Sequence, residues 1–327
     1  MTQAFWVLSP GVGVIRAEPI ADPAEGEVRV RSLYGGISRG PERLVFHGKV
    51  PTNQHTEMRC PHQAGEFSFP VKYGYIVVGV IETPSHRRGE VVFLLHPHQS
   101  EMVVPEASVV TLPEGLDPAL AVLAPNLETA INAVWDSRAV PGSAATVIGA
   151  GVVGMLVAWR LQQLGVAVEL VDINPRRRAV AAELGLHLVS PQEASVDRAL
   201  VVHASGAEGG LLRALEIAAA EGTILELSWY GDRSVSLPLG AHFHAKRLTI
   251  QSSQVGTISP AAPAGTTYRT RMAEALAVLA QYPELGGLIT EESAFEDLPS
   301  TMVRVTSSTS DVLCHRIKYP GDSSCSD

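Results

Sequence analysis

The sequence predicts an α/β protein: a doubly wound parallel sheet joined to a second, mainly β domain. Three observations carry this. The apolar strand Thr146-Val147-Ile148 runs into Gly149-Ala150-Gly151-Val152-Val153-Gly154, a helix follows, and a second apolar strand, Val168 to Val171, ends in Asp172, 18 residues after Gly154. Beyond it, apolar strands and helices alternate with short connections, which is how a parallel sheet covered on both faces reads. Before it, about 125 residues rich in Gly, Pro and β-branched side chains carry alternating and apolar runs separated by turn signals.

The glycine motif reads as a dinucleotide site, because each glycine has a mechanical reason. Gly149 allows the tight turn out of the strand, Gly151 lets a pyrophosphate come against bare backbone, and Gly154 lets the helix pack closely on the sheet. Val152 and Val153 open that helix, whose free N–H groups and positive dipole end point at the phosphates. Asp172 accepts from the ribose hydroxyls of NAD and repels the extra phosphate of NADP. Ile173 follows the acid and Arg177 lies in the run Arg176-Arg177-Arg178, which would hold a 2′-phosphate or be a solvated face opening a helix. NAD is therefore preferred over NADP. The structural alternative is a Rossmann domain that keeps its glycines for packing alone.

In chain order, Glu27-Val28-Arg29-Val30-Arg31, Tyr75 to Ile81 and Val91 to Leu95 read as strands, with turns at Ser9-Pro10-Gly11 and Thr83-Pro84-Ser85. A helix follows from Leu127 to Trp135. After the glycine motif and its helix, Val152 to Leu164, come a helix from Arg176 to Leu184 and a strand from Arg198 to His203. A helix from Gly210 to Ala220 and a strand from Thr223 to Ser228 come next. Leu248 to Ser253 would close the sheet at its far edge, and Tyr268 to Gln281 is an amphipathic helix. The domains expected are 1–125, mainly β; 126–265, the dinucleotide-binding unit; and 266–320, a return to the first, with a mobile tail from Pro320 to Asp327.

The composition bounds the function. With 327 residues, 46% hydrophobic and 18% charged, the chain builds substantial cores, and a net charge of −9 argues against a nucleic-acid partner. The first ten residues lack a secretion signal and no segment has the apolar length of a membrane span. The three scattered cysteines, Cys60, Cys314 and Cys325, suit a reducing compartment and match no zinc-finger spacing, so a cytoplasmic enzyme is expected.

The order of a β domain, a Rossmann domain and a short return resembles the medium-chain dehydrogenase/reductase superfamily. Further residues carry the likeness: Tyr34-Gly35-Gly36-Ile37-Ser38, Gly74-Tyr75-Ile76-Val77-Val78-Gly79, Thr129-Ala130 and Leu184-Gly185. It implies a GroES-like catalytic domain beside the Rossmann domain, a homodimer formed through the edge strand near Leu248 to Ser253, and a contact from Thr129 to the cofactor; Ser205 and Gly206, at the end of the strand that begins near Arg198, should lie against the cofactor because ligands gather at the carboxyl ends of parallel strands. In zinc-dependent members a Cys, a His and a further Cys or acid hold the catalytic metal; those positions fall here on Ser38, Tyr75 and about Pro125, and no cysteine lies between Cys60 and Cys314 to supply a structural zinc cluster. The resemblance thus points to a zinc-free branch. The loop Gly36-Ile37-Ser38-Arg39-Gly40-Pro41-Glu42 is similar to that of a bacterial subgroup containing bacteriochlorophyllide dehydrogenases.

Without a metal, side chains must stabilise or protonate the developing oxyanion. Tyr75 takes the place of the missing histidine, and a phenol donates to a carbonyl oxygen or receives an alcohol proton. Ser38 and Glu42 lie in the loop opposite. The structural alternatives are an aromatic packing residue for Tyr75 and a capping serine for Ser38. Glu128 is either an acid or a charge at a helix N-terminus. The pairs His96-Pro97-His98 and His242-Phe243-His244 each put two imidazoles on one face if extended, with His96 and His244 preferred as proton relays. The leading reading is an NAD(P)-dependent, zinc-independent oxidoreductase acting on an alcohol/ketone or conjugated enone of a small or medium organic substrate. The alternatives are an enzyme that uses bound NAD for cyclisation or elimination without net redox change, and an inactive nucleotide-binding protein.

Overall fold

A computed structural model describes residues 1–321; of the tail, residues 322 onward lie outside the described residues. The chain divides into two compact units, Met1–Ala124 with Leu276 onward, and Pro125–Ala275.

The first unit is β-rich. Strands β1 (Thr2–Ser9) and β2 (Val12–Glu18) pair antiparallel, and β3 (Glu27–Ile37) leads into helix α1 (Arg39–Phe46). The short strands β4 (Ala64–Gly65) and β5 (Val71–Lys72) join the first two as a four-stranded sheet, β2-β1-β5-β4. After them come β6 (Val77–Thr83), β7 (Val91–Leu94), β8 (Glu101–Pro105) and β9 (Val109–Thr111). Strand β3 alternates as its sequence predicts, burying Val28 and Val30 while Arg29 and Arg31 stay half-exposed. Val30 lies opposite Met102 on β8 and Ile81 on β6, within an apolar cluster that includes Val77, Leu94 and Val104.

The second unit opens with helix α2 (Ala124–Ser137), longer at both ends than its apolar period predicts, and then alternates. Strand β10 (Ala144–Ile148), helix α3 (Val152–Gln163), β11 (Ala167–Val171), α4 (Arg177–Glu183), β12 (Leu188–Val189), β13 (Arg198–His203), α5 (Glu208–Ile217), β14 (Ala218–Glu226) and β15 (Thr249–Ser252) form one doubly wound domain. Its six strands are all parallel, in the order β12-β11-β10-β13-β14-β15. The chain reverses direction across the sheet between β10 and β13, so their carboxyl ends flank the crevice where such sheets take ligands.

The chain then runs through helix α6 (Tyr268–Gln281), β16 (Ile289–Ala294), α7 (Leu298–Val305) and β17 (Cys314–Lys318). Strand β17 pairs antiparallel with the second half of β3 and parallel with β16, while β8 pairs with the first half of β3. These complete a seven-stranded sheet ordered β16-β17-β3-β6-β7-β9, with β8 beside β3.

Three segments depart from their sequence reading, the first because tertiary pairing outweighs local propensity. Ala218 to Ala220, read as helix, opens β14, because Ala218 pairs with Arg198 and Glu221 takes a φ of +59° beside Gly222. The strand read from Tyr75 begins at Val77, leaving Tyr75 in irregular chain ahead of the ladder. His242 and His244 lie in and just after a wide helical turn, Leu239–Phe243, where residues two apart do not share a face. No helix among the described residues is long and apolar enough to cross a membrane.

Ile81 is fully buried where β3, β6 and β8 meet. Ile81→Ala is expected to cost about 2–5 kcal/mol, through lost transfer energy and the residual cavity, read as a lower urea midpoint.

Candidate cofactor and catalytic sites

The glycine turn in the second unit is built with no spare volume at two of its three glycines. Gly149 has a φ of +110°, and a Cβ there would lie 2.7 Å from the backbone nitrogen of Ser205. A Cβ on Gly154 would lie 1.8 Å from the Gly149 carbonyl oxygen, so the first turn of α3 rests directly on the loop it leaves. Gly151 differs: nothing lies within 4 Å of its missing Cβ. The protein therefore needs glycine at 149 and 154 for itself, whereas at 151 the open space faces outward.

Asp172, just after β11, ties the turn down. Its Oδ2 accepts the Ala150 N–H at 2.6 Å and its Oδ1 accepts the Asn174 N–H at 2.7 Å. A carboxylate has about four lone-pair directions, so both oxygens retain capacity for a further donor. Ile173 beside it is 86% exposed, a large apolar side chain presented to water. Arg177 is half-buried at the start of α4, and Val152 and Val153 open α3 half-buried while the next residues are buried.

Ser205 and Gly206 follow β13, against the glycine turn. The Ser205 hydroxyl is 2.6 Å from His203 Nε2, and His203 Nδ1 is 2.7 Å from Glu226 Oε2 at the end of β14. Burial disfavours the Glu226 charge, but hydrogen bonds from His203 and Ser228 overcome this and hold the carboxyl below the usual carboxylate range. Gly206 donates to Ser228 Oγ at 3.0 Å and accepts from Arg233 at 2.7 Å. His203 and Glu226 escaped the sequence reading. Their only signal was a polar residue closing each of two apolar strands, at the sheet edge where ligands gather.

On α2, the Thr129 hydroxyl donates to the Pro125 carbonyl at 2.9 Å. Glu128 is neither a free acid nor a helix-end charge: it is buried against Arg271 at 3.0 Å, and burial pushes its carboxyl up while the guanidinium pulls it back. His244 is exposed.

In the first unit the start of α1 gathers three of the residues singled out: Ser38 is its N-cap, and Glu42, read from the sequence as loop, lies in its first turn. Glu42, almost fully buried, accepts the Ser38 backbone N–H at 2.8 Å through Oε1, while its Oε2 is 2.7 Å from His98 Nε2. The Ser38 side chain bonds the Tyr75 hydroxyl, and burial together with the Glu42 charge pushes the phenol well above its ordinary value. Tyr75 is half-buried, its ring edge-on to Tyr73 at 6.0 Å. Glu42 reaches Ser38 through the main chain, so it fixes the loop's shape rather than passing a proton along it. The fully buried His98 Nδ1 has no hydrogen-bond partner among the described residues, and a Cβ on Gly74 would lie 2.9 Å from its ring.

His96 lies apart from this group. Its Nδ1 N–H donates to the Pro97 carbonyl at 2.9 Å, its ring stacks on His62 at 5.2 Å, and burial lowers its pKa to about 3. Of the pair, the structure brings His98, not His96, to Glu42. The segment is not a strand, so alternation does not put the two rings on one face. Burial also pushes the Cys60 and Cys314 thiols up to about 12.

No protein-family model matches the chain. Among curated proteins, a 2-dehydro-3-deoxy-L-galactonate 5-dehydrogenase of Pseudoalteromonas atlantica is 27% identical over 215 residues, or 59% of this chain and 62% of that protein. The match thus spans less than two thirds of that relative's length. Among solved structures, L-idonate 5-dehydrogenase of Escherichia coli K-12 superposes with a TM-score of 0.78 at 17% identity, over 97% of this chain and 98% of that one. A short-chain alcohol dehydrogenase, rspB, of Escherichia coli CFT073, solved with NADH, gives a TM-score of 0.73 at 17% identity, over 97% and 99%. The chain has the two-domain fold of the medium-chain dehydrogenase/reductase superfamily, as its motifs imply.

His96 supplies a test of the buried histidine's environment. Its folded pKa is lowered, so the stability that goes with its neutral form is intact above about pH 6.5 and is lost as pH falls toward 3, where the unfolded chain takes up a proton the folded one refuses. His96→Asn is expected to make the stability lost between pH 7.5 and 4.5 smaller than in the wild type, by on the order of 2 kcal/mol in paired urea titrations.

Proposed function

We propose that the protein is an NAD(P)-dependent oxidoreductase that interconverts a secondary alcohol and a ketone on a small or medium organic substrate, without zinc. The observation that carries this is the open space at Gly151, between two glycines the fold needs for itself and beside the Asp172 carboxylate. Gly149, Gly151, Gly154 and the N-terminus of α3, opened by Val152 and Val153, would cradle the pyrophosphate. Asp172 would take a ribose diol, Ile173 would pack on the adenine, and Thr129, Ser205 and Gly206 would lie along the remaining half. Arg177 would take the 2′-phosphate if NADP were used. The carboxylate at Asp172 favours NAD.

The cofactor, when bound, supplies or takes the hydride. The chain's own task is the oxygen. As the hydride reaches the carbonyl carbon and the C=O π bond breaks, the Tyr75 hydroxyl donates to the oxygen. An alkoxide is more basic than a tyrosinate, so the proton moves downhill even from a phenol raised by burial. Ser38 holds the phenol in line, and Glu42, itself held by His98, holds Ser38. His96 and His244 take no part in this arrangement.

Zinc does not fit the residues present. Ser38 offers a neutral hydroxyl bonded to Tyr75, Tyr75 a phenol whose proton is held tightly, and Pro125 no side-chain donor, with its carbonyl bonded to Thr129. A Lewis-acid zinc calls for three thiolate, imidazole or carboxylate ligands. The substrate class takes support from the names of the relatives, dehydrogenases of alcohols and sugar acids. The edge strand β15 is the surface on which a homodimer would form.

Gly151→Ala is expected to leave the melting temperature unchanged and to weaken NADH binding, followed by quenching of nicotinamide fluorescence, at least tenfold; unchanged affinity would sink the phosphate cradle. With a panel of secondary alcohols, ketones, enones and hydroxy acids, turnover is read at the reduced-nicotinamide absorbance. Tyr75→Phe is expected to lower kcat by roughly 10²–10⁴ with NADH affinity kept, and one equivalent of zinc in the active protein would overturn the metal-free reading.

A further inference from the structure

Glu226, His203 and Ser205 form a line at the carboxyl edge of the parallel sheet, joined by contacts of 2.7 and 2.6 Å, with the imidazole fully buried and the serine exposed. The Glu226 carboxylate only accepts. Its Oε1 takes the Ser228 N–H at 2.7 Å, and its Oε2 takes the Tyr230 hydroxyl at 3.1 Å and His203 Nδ1. The proton of the neutral imidazole therefore sits on Nδ1 and leaves Nε2 as a lone pair, to which Ser205 donates its hydroxyl hydrogen. A nucleophile, a base within hydrogen-bond reach and a carboxylate that orients the base are the parts an acyl-transfer site requires. The hydride chemistry uses none of them in that way.

The backbone around the serine suits the same task. Ser205 stands in the turn between β13 and α5, followed by Gly206 with a φ of +63°. The Ala207 N–H donates to Ser205 Oγ at 3.2 Å, which puts that oxygen at the N-terminus of α5. The first amides of a helix have no partner inside it, and their dipoles meet negative charge favourably. Gly210 keeps the approach clear, since a Cβ there would lie 2.4 Å from Ser205 Oγ, and nothing lies within 4 Å of a Cβ on Gly209. The one acid of this turn, Glu208, takes the Ser236 N–H at 3.2 Å. A capping serine alone would account for the Ala207 contact. It would not call for an imidazole and a carboxylate behind it, groups that are costly to bury.

We propose that the nucleotide-free protein hydrolyses short-chain carboxylic esters, with Ser205 as nucleophile, His203 as its base and Glu226 positioning the ring. The inference does not rest on the dinucleotide reading; a cofactor lying along Ser205 would exclude the ester. Oγ adds to the ester carbonyl carbon while its proton passes to His203 Nε2, and the C=O π electrons move to the oxygen, toward the amides that open α5. The C=O then re-forms, the C–O bond to the alcohol breaks, and the leaving oxygen takes the proton from Nε2. Water repeats the sequence on the acyl-serine, giving its proton to Nε2 and its oxygen to the acyl carbon, and Ser205 recovers its hydrogen. An ester fits better than an amide, whose carbonyl is less electrophilic, because the Gly206 N–H is already engaged by Ser228 Oγ at 3.0 Å. The glycines at 209 and 210 offer no side chain to grip a long acyl group.

Two measurements test it, both on the full chain freed of nucleotide. A fluorophosphonate, which phosphonylates an activated serine with loss of fluoride, should form an adduct located at Ser205 by peptide mass spectrometry. With p-nitrophenyl acetate, nitrophenolate should appear in a burst followed by turnover, as the acyl-serine forms and is hydrolysed. Ser205→Ala should abolish both. Glu226→Gln, which removes the carboxylate that fixes the imidazole tautomer, should slow both by roughly 10²–10⁴. Circular dichroism checks the fold of each variant, and the exposed truncation at Ser205 keeps the test standing if Glu226→Gln does not fold. The proposal is overturned by the absence of an adduct at Ser205, by an adduct that forms at the wild-type rate in Glu226→Gln, or by ester hydrolysis at the wild-type rate in Ser205→Ala. NADH affinity of the same wild-type sample separates such a failure from that of the dinucleotide reading.

Discussion

One contact organises the second unit: the first turn of α3 rests on the carbonyl of Gly149, with Gly154 too close for a single added carbon. That approach brings the helix down onto the loop it leaves. The left-handed Gly149 turn, the backbone of Ser205 pressed against it and the Asp172 carboxylate holding Ala150 follow from it. Together they bring three strand ends, those of β10, β11 and β13, to one place. The polar groups that close β13 and β14 then face the same crevice.

The first unit solves a different problem. A buried carboxylate is costly unless donors meet it, and Glu42 meets two, the backbone amide at the N-cap of its own helix and an imidazole from 56 residues away. The pair fixes the loop between β3 and α1 and so fixes Ser38, on which the Tyr75 hydroxyl depends. The orphaned His98 Nδ1 leaves this network incomplete on one side. Tyr75 lies ahead of its strand rather than in it, free of the ladder's alternation and only partly covered.

The parallel sheet was legible because its signal is local and redundant: glycine spacing, strand period and the terminal acid all agree over some thirty residues. The alternation of β3 was legible for the same reason. What escaped was set by distance along the chain. Nothing near Glu42 announces that His98 will reach it, and the choice between His96 and His98 turned on a local period that an irregular segment does not obey. His203 and Glu226 each end an apolar run, but only the parallel register of β13 with β14 sets them side by side. Ala218 to Ala220 shows the reverse, a clear helical preference overruled by a pairing partner twenty residues upstream.

Asp172 carries a consequence beyond ligand choice. Its two oxygens hold the amides on either side of the crevice entrance, so the side chain that would sort one ribose from another is also a strut of the turn. A neutral or shorter residue there unhooks Ala150 and Asn174 at the same stroke as it changes what the pocket prefers. If Asp172 reads the ribose as proposed, cofactor preference would therefore not be free to drift one substitution at a time. A change of taste would then have to arrive together with a new way of holding up the loop.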